Sequence, residues 1–138
     1  MELSARIETK LEAHSDRCWS VDWSPNGQLL GSAGGDKKGK VWSQEKNCIA
    51  TIDESRTVRR IKFAPCGKKL ATCSFNGKVQ IYELEENEWE AICELEGHES
   101  EVKSISWSAD GLLLGLSYFT SQNSKADLLY FCQEYKFD

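Results

Sequence analysis

Between Arg56 and Tyr82 the chain reads RTVRRIKFAPCGKKLATCSFNGKVQIY. Three short apolar runs, Val58 to Phe63, Leu70 to Ser74 and Val79 to Tyr82, are separated by Pro65-Cys66-Gly67 and Phe75-Asn76-Gly77. Runs of that length broken by Gly, Pro and Asn predict antiparallel strands joined by turns. The pattern recurs. Shifted 40 residues toward the N-terminus it covers CWSVDWSPNGQLLGSAGGDKKGKVW, with Phe63 on Trp23, Pro65 on Pro25, Gly67 on Gly27 and Tyr82 on Trp42. Shifted 44 residues the other way it covers VKSISWSADGLLLGLS, with Trp107 under Phe63 and Gly111 under Gly67. Within the first copy Trp19, Val21 and Trp23 alternate with Ser20 and Asp22, the period of a strand that buries one face.

A period of about 40 to 45 residues, four strand-sized runs per period and a Gly-His ahead of the first run resembles WD-repeat propeller blades. Gly97-His98 supplies the dipeptide for the third copy, Ala13-His14 a version of it for the first, and Glu54 stands at that place in the second. The fold predicted is all-β: an incomplete WD-repeat β-propeller of about three four-stranded antiparallel blades in an open arc, since closed rings take about 4 to 8 blades. ARIETKLEAH aligns with EAICELEGH when His14 is placed on His98, so residues 1–13 read as an orphan outer strand. Blade 1 is then expected at 14–53, blade 2 at 54–97 and a partial blade 3 at 98–138. After Ser117 the expected Asp falls on Thr120 and the expected Trp on Ala126, and the tail diverges from about 118. LLYFCQEYKF is apolar enough for one strand but out of register, and a replaced C-terminus is the simplest reading.

Ser32, Asp36 and Trp42 stand where WD repeats place a hydrogen-bond network with the histidine, here His14, and His98 opens the third repeat. A buried imidazole and indole N–H need acceptors, which a hydroxyl and a carboxylate supply. The second repeat carries Glu54, Thr72, Asn76 and Tyr82 at these places, and is expected to lose the network and rely on Ile61, Phe63, Leu70 and Ile81. The two histidines obey the repeat, whereas a catalytic or metal site needs different groups converging on one point. We therefore expect no catalytic residues, no metal and no cofactor. The acidic stretch ELEENEWE reads as an exposed hairpin loop, with Trp89 opening the strand after it.

Charge adds little. With 22 acidic and 17 basic residues the net charge is -5, which argues against a nucleic-acid surface, and no apolar run suggests a membrane span. The six cysteines are spaced 30, 18, 7, 20 and 39 apart with no C-x-x-C pair, so they read as small buried hydrophobes in a reducing compartment. Arg17, Arg56, Arg59, Arg60 and Lys103 fall where one repeat hands over to the next; Arg59, Lys103 and Trp19 are repeat equivalents. With Phe75 at a turn on the same end, they form a candidate patch for an acidic or carboxylate-bearing partner, against the alternative of scattered surface charge.

The runs AHSDRCWSVDWSPNGQLLGSAGGDKK, RTVRRIKFAPCGKKLATCSF and ELEGHESEVKSISW together resemble the first three blades of the cytosolic iron-sulfur protein assembly WD-repeat family, over about residues 7–117. The resemblance implies a non-enzymatic scaffold that binds the other cytosolic iron-sulfur targeting subunits and apo-protein clients. It implies a cytoplasmic location, with a nuclear pool left open. A generic WD-repeat interaction module and a truncated fragment without independent function are the alternative readings. Open blade faces add an expectation of self-association.

Overall fold

The computed structural model describes residues 2–95, 101–119 and 126–132; at 118–119 and 126–132 it describes backbone alone. The first sheet is β1 (Cys18–Trp23), β2 (Leu30–Gly34), β3 (Lys38–Trp42) and β4 (Cys48–Asp53), hydrogen-bonded in that order. The second is β5 (Val58–Phe63), β6 (Lys69–Ser74), β7 (Val79–Glu85) and β8 (Glu88–Leu95), in the same order. The third has β9 (Val102–Trp107), β10 (Leu113–Phe119) and β11 (Ala126–Cys132), ordered β11-β10-β9. Every pairing is antiparallel.

The same turn opens each sheet, because Gly27, Gly67 and Gly111 occupy the left-handed region at φ 72, 74 and 73 between the first and second strands. A two-residue Glu86-Asn87 turn with positive φ joins β7 to β8, so the acidic stretch is a tight hairpin flanked by ladder and not a long loop.

The sheets stack large face on small face. Ile61 and Phe63 of β5 and Leu70 of β6 press against the side of the first sheet that carries Gly31, Ala33 and Val41. A methyl group at Gly31 would lie 3.1 Å from the Phe63 ring and 3.2 Å from Ile61 Cδ1. The next interface repeats the scheme with Ala71, Cys73, Val79 and Ile81 against Val102, Ile105, Leu114 and Leu116. Backbone groups also bridge the sheets. The Phe63 amide donates to Asp22 Oδ2 at 2.8 Å, Arg60 Nη1 to the Trp19 carbonyl at 2.9 Å, and Trp107 Nε1 to the Lys62 carbonyl at 3.1 Å.

Three expectations change. Residues 2–13, expected as an outer strand, alternate like one in sequence but join no sheet among the described residues. The tail expected as one strand out of register is described over Ala126–Cys132 as β11, in the usual register. The link before it is longer than its counterpart between β6 and β7, and Phe131 pairs with Leu114 just as Tyr82 pairs with Leu70 and Trp42 with Leu30. Of the thiols, Cys73 is buried, donates to the Val102 carbonyl and is pushed up to about 12 by burial, whereas Cys18, Cys48 and Cys66 are exposed. Those three sit at strand starts and in a turn, where a period-2 pattern does not bury them.

Candidate protein-interaction site at the loop end of the blades

In the first blade His14, Ser32, Asp36 and Trp42 form one chain of hydrogen bonds. Trp42 Nε1 donates to Ser32 Oγ at 3.0 Å, and Ser32 Oγ lies 2.8 Å from His14 Nε2. His14 Nδ1 lies 2.9 Å from Asp36 Oδ1. A carboxylate only accepts, so the proton is on Nδ1, and Nε2 accepts from the serine. Burial alone would raise the Asp36 carboxyl. The His14 bond, with the amides of Ser15 and Lys38, outweighs it and holds the group below the usual aspartate range. Gly34 makes the approach feasible, since a Cβ there would come within 2.4 Å of His14 Nδ1 and 2.5 Å of Asp36 Oδ1.

The second blade does not lose its network. Glu54 takes the histidine's place and its Oε1 accepts from Thr72 Oγ1 at 3.1 Å and from the Tyr82 hydroxyl at 2.7 Å. Burial first, then this carboxylate, hold the tyrosine protonated well above its ordinary range. Asn76 stands at the Asp36 position, bonding to Ser74 and, at 2.9 Å, to Ser55 Oγ. The donors and acceptors have exchanged partners, which residue-by-residue matching to a His-Ser-Asp-Trp pattern does not reveal. His98 lies outside the described residues.

These networks span one blade each and leave no open reactive group. The exposed chemistry gathers at the start of the inner strands. The Arg59 guanidinium stacks over the Trp19 ring at 4.6 Å, Arg17 approaches the same ring at 6.0 Å, and Phe75 tilts against it at 5.7 Å. Trp19, Arg59 and Lys103 are repeat equivalents, so successive blades bring them into line. Glu101, which the sequence reading passed over, lies between the last two: 3.6 Å from Arg59 Nε and 2.7 Å from Lys103 Nζ. Its signal was its place immediately before β9 and two residues before Lys103.

Of the six residues singled out from the sequence, the structure brings Arg17, Arg59 and Phe75 together around Trp19, and links Lys103 to them through Glu101. Arg60 points elsewhere, bound to the Trp19 carbonyl between the inner strands. Arg56 is exposed in the loop before β5. Arg59 Nε is buried and, among the described residues, has no hydrogen bond, its ion-pair partner Glu101 Oε1 lying at 3.6 Å. An aromatic seat edged by guanidinium groups suits a planar or carboxylate group that can stack and accept at once. Among the described residues no three His, Cys, Asp or Glu side chains converge to hold a metal ion.

Comparison with known proteins now bears on this geometry. The profile of the "WD domain, G-beta repeat" family matches residues 5–43, 46–83 and 89–121. A "Probable cytosolic Fe-S cluster assembly factor" of Schizosaccharomyces japonicus is 39% identical over 112 residues, 78% of this chain and 18% of that protein. A "Probable cytosolic iron-sulfur protein assembly protein CIAO1 homolog" of Caenorhabditis elegans is 38% identical over 104 residues, 68% of this chain and 31% of that protein. "Protein CIA1" of Arabidopsis thaliana is 41% identical over 102 residues, 64% and 29% of the respective lengths. The chain thus spans less than a third of each of these relatives. Saccharomyces cerevisiae Sqt1 shares the fold, with a TM-score of 0.72 at 16% identity over 90% of this chain and 37% of its own. With three matched repeats, each folded as one antiparallel sheet stacked on the next, the chain belongs to the WD-repeat family.

Proposed function

We propose that this chain is a non-enzymatic adaptor in cytosolic iron-sulfur protein assembly, and that Trp19, Arg17, Arg59 and Phe75 receive an acidic or carboxylate-bearing segment of a partner. The assembly role is supported by relatives so named that are 39% and 38% identical to it. Partners of that class are the other targeting subunits and apo-protein clients, and the site of action is the cytoplasm, with a nuclear pool beside it.

The contact itself rests on one observation, the Arg59 guanidinium stacked at 4.6 Å over the Trp19 ring and held by Glu101 at 3.6 Å, beyond hydrogen-bond range. Such a group gains a charge-assisted bond when a carboxylate arrives. Arg56, Lys103 and Arg60 have lesser parts: Arg56 widens the positive rim, Lys103 shares Glu101, and Arg60 holds the blades together.

Two experiments test the proposal. Titration with a fluorescent peptide of alternating Asp and Gly should show salt-sensitive binding that Arg59→Glu weakens at least about tenfold, while the Gln-Gly peptide does not bind. Equal binding by the Arg59→Glu chain would overturn the contact. For the role, the chain joined to the remaining blades of a relative, in cells lacking that relative, should restore activity of a cytosolic iron-sulfur enzyme. Failure there, with peptide binding intact, would favour a WD-repeat module of another assembly.

A further inference from the structure

One irregularity recurs at the start of all three inner strands. In its pairing with β2, β1 skips Trp19 between Cys18 and Ser20; β5 skips Arg59 between Val58 and Arg60; and β9 skips Lys103, since Ser117 faces Ser104 and Tyr118 faces Val102. A bulge turns its extra residue out of the ladder. Repeated in three blades, it delivers Trp19, Arg59 and Lys103 to the same end of the inner strands. Two residues ahead of them stand Arg17, Thr57 and Glu101 respectively. The frame accepts a cation, a hydroxyl or a carboxylate at that place, so no blade requires a carboxylate there in order to fold.

Glu101 nonetheless sits inside the cationic site. Lys103 Nζ donates to Glu101 Oε2 at 2.7 Å, whereas Glu101 Oε1 stops 3.6 Å from Arg59 Nε. That nitrogen is buried and makes no hydrogen bond among the described residues. Glu101 therefore neutralises Arg59 without satisfying it. What seats the guanidinium is the Trp19 ring at 4.6 Å, itself backed by Phe75 at 5.7 Å. A carboxylate arriving from outside meets the like charge of Glu101 on its way to Arg59, and gains there the bond that Glu101 does not make. The exchange costs little. The Arg59 and Glu101 side chains are 22% and 23% exposed, a long and partly hydrated ion pair contributes weakly, and Glu101 retains Lys103 when it gives up Arg59.

We propose that Glu101 is a resident competitor in the acidic-partner site: it occupies the approach to Arg59 in the free chain and withdraws onto Lys103 when the partner's carboxylate binds. This role rests on Arg59 being the point where the acidic segment lands. Its consequence is selectivity. A diffuse anion gains too little to displace Glu101, while a segment that places a carboxylate on Arg59 and the rest of its surface against Trp19 and Phe75 gains enough.

The fluorescent Asp-Gly peptide, titrated into the whole chain at about 0.15 M salt, tests this role. Glu101→Gln should bind it about three- to tenfold more tightly than the parent chain, and should keep the parent's far-ultraviolet spectrum. Asp53→Asn makes the same change of net charge by releasing Lys38 from its 2.6 Å pair on β3 and β4, and should bind like the parent. In an Arg59→Gln background the gain from Glu101→Gln should vanish, because there is no longer a guanidinium to compete for. Weaker binding by Glu101→Gln would make Glu101 a residue that positions Arg59, and equal gains from Glu101→Gln and Asp53→Asn would reduce its effect to charge at a distance; either result overturns the proposal. So does an unchanged affinity in Glu101→Gln while Arg59→Glu still weakens binding, a result that leaves the Arg59 contact standing. Peptide bound by neither the parent nor Glu101→Gln removes the contact itself, and the competitor with it.

Discussion

Asp36 shows how far spacing alone carries at the scale of a residue. The positions of His14, Ser32, Asp36 and Trp42 were legible from the repeat, but the wiring was not. The sequence offers a hydroxyl and a carboxylate as acceptors without assigning them; in the structure Ser32 joins Trp42 to His14, and Asp36 holds the other imidazole nitrogen. Asp36→Ala therefore leaves one ring N–H and two backbone amides without their acceptor. We expect a loss of about 1 to 3 kcal/mol by urea unfolding, with partner binding unchanged in the folded fraction. Full stability with lost binding would make Asp36 a contact residue. The charge also sets an acid dependence. Because the folded carboxyl lies below the ordinary value, its contribution is complete above about pH 4, where an unfolded aspartate is ionised, and is lost as the pH falls through the folded value. Urea midpoints between pH 6 and 2 should fall less steeply below pH 4 in Asp36→Asn than in the parent chain. Gly34→Ala should reproduce the Asp36→Ala loss, because its methyl group would occupy the place of the His14–Asp36 bond.

At the scale of the element, equivalence in sequence does not mean equivalence in energy. The repeat offset places Trp23, Phe63 and Trp107 at one position of the three sheets. Position in the stack breaks that symmetry. Phe63 is packed between Gly31 on one side and Trp89 on the other, its ring centroid 5.9 Å from that of Trp89. Phe63→Ala should cost about 3 to 5 kcal/mol. Trp23 is mostly exposed in the single chain, so Trp23→Ala should cost under about 1 kcal/mol when unfolding is followed at concentrations too low for association. Equal losses at the two sites would contradict the exposed end face. β11 makes the converse point: a longer link hid a strand whose aromatic, Phe131, stands opposite Leu114 in the usual register. A rigid offset cannot absorb an insertion, but backbone pairing can. Glu54 was hidden for a related reason, since a carboxylate and a tyrosine hydroxyl exchange the roles of donor and acceptor that an imidazole and a serine would fill.

For the whole molecule, the controlling quantity is the apolar surface that Val21 and Trp23 expose on the first blade. Residues 2–13 were read from sequence as an outer strand, and the alternation that supports the reading is real, yet a strand needs an edge to pair with, which no pattern along one chain can supply. Within one copy this segment lies along the first blade and lends Ile7 and Leu11 to the groove with Trp23, Leu30 and Trp42. Removing residues 1–13 takes away that partial cover. It leaves the Trp23 face intact and more exposed, which favours association. The truncated chain should bind more hydrophobic dye and scatter light at a lower temperature and concentration than the parent. Adding Trp23→Ala to the truncation should recover part of the loss, because it removes the largest exposed apolar group on that face. A truncated chain that stays as soluble as the parent, with unchanged dye binding, would mean that the segment covers nothing and that its alternation serves no pairing.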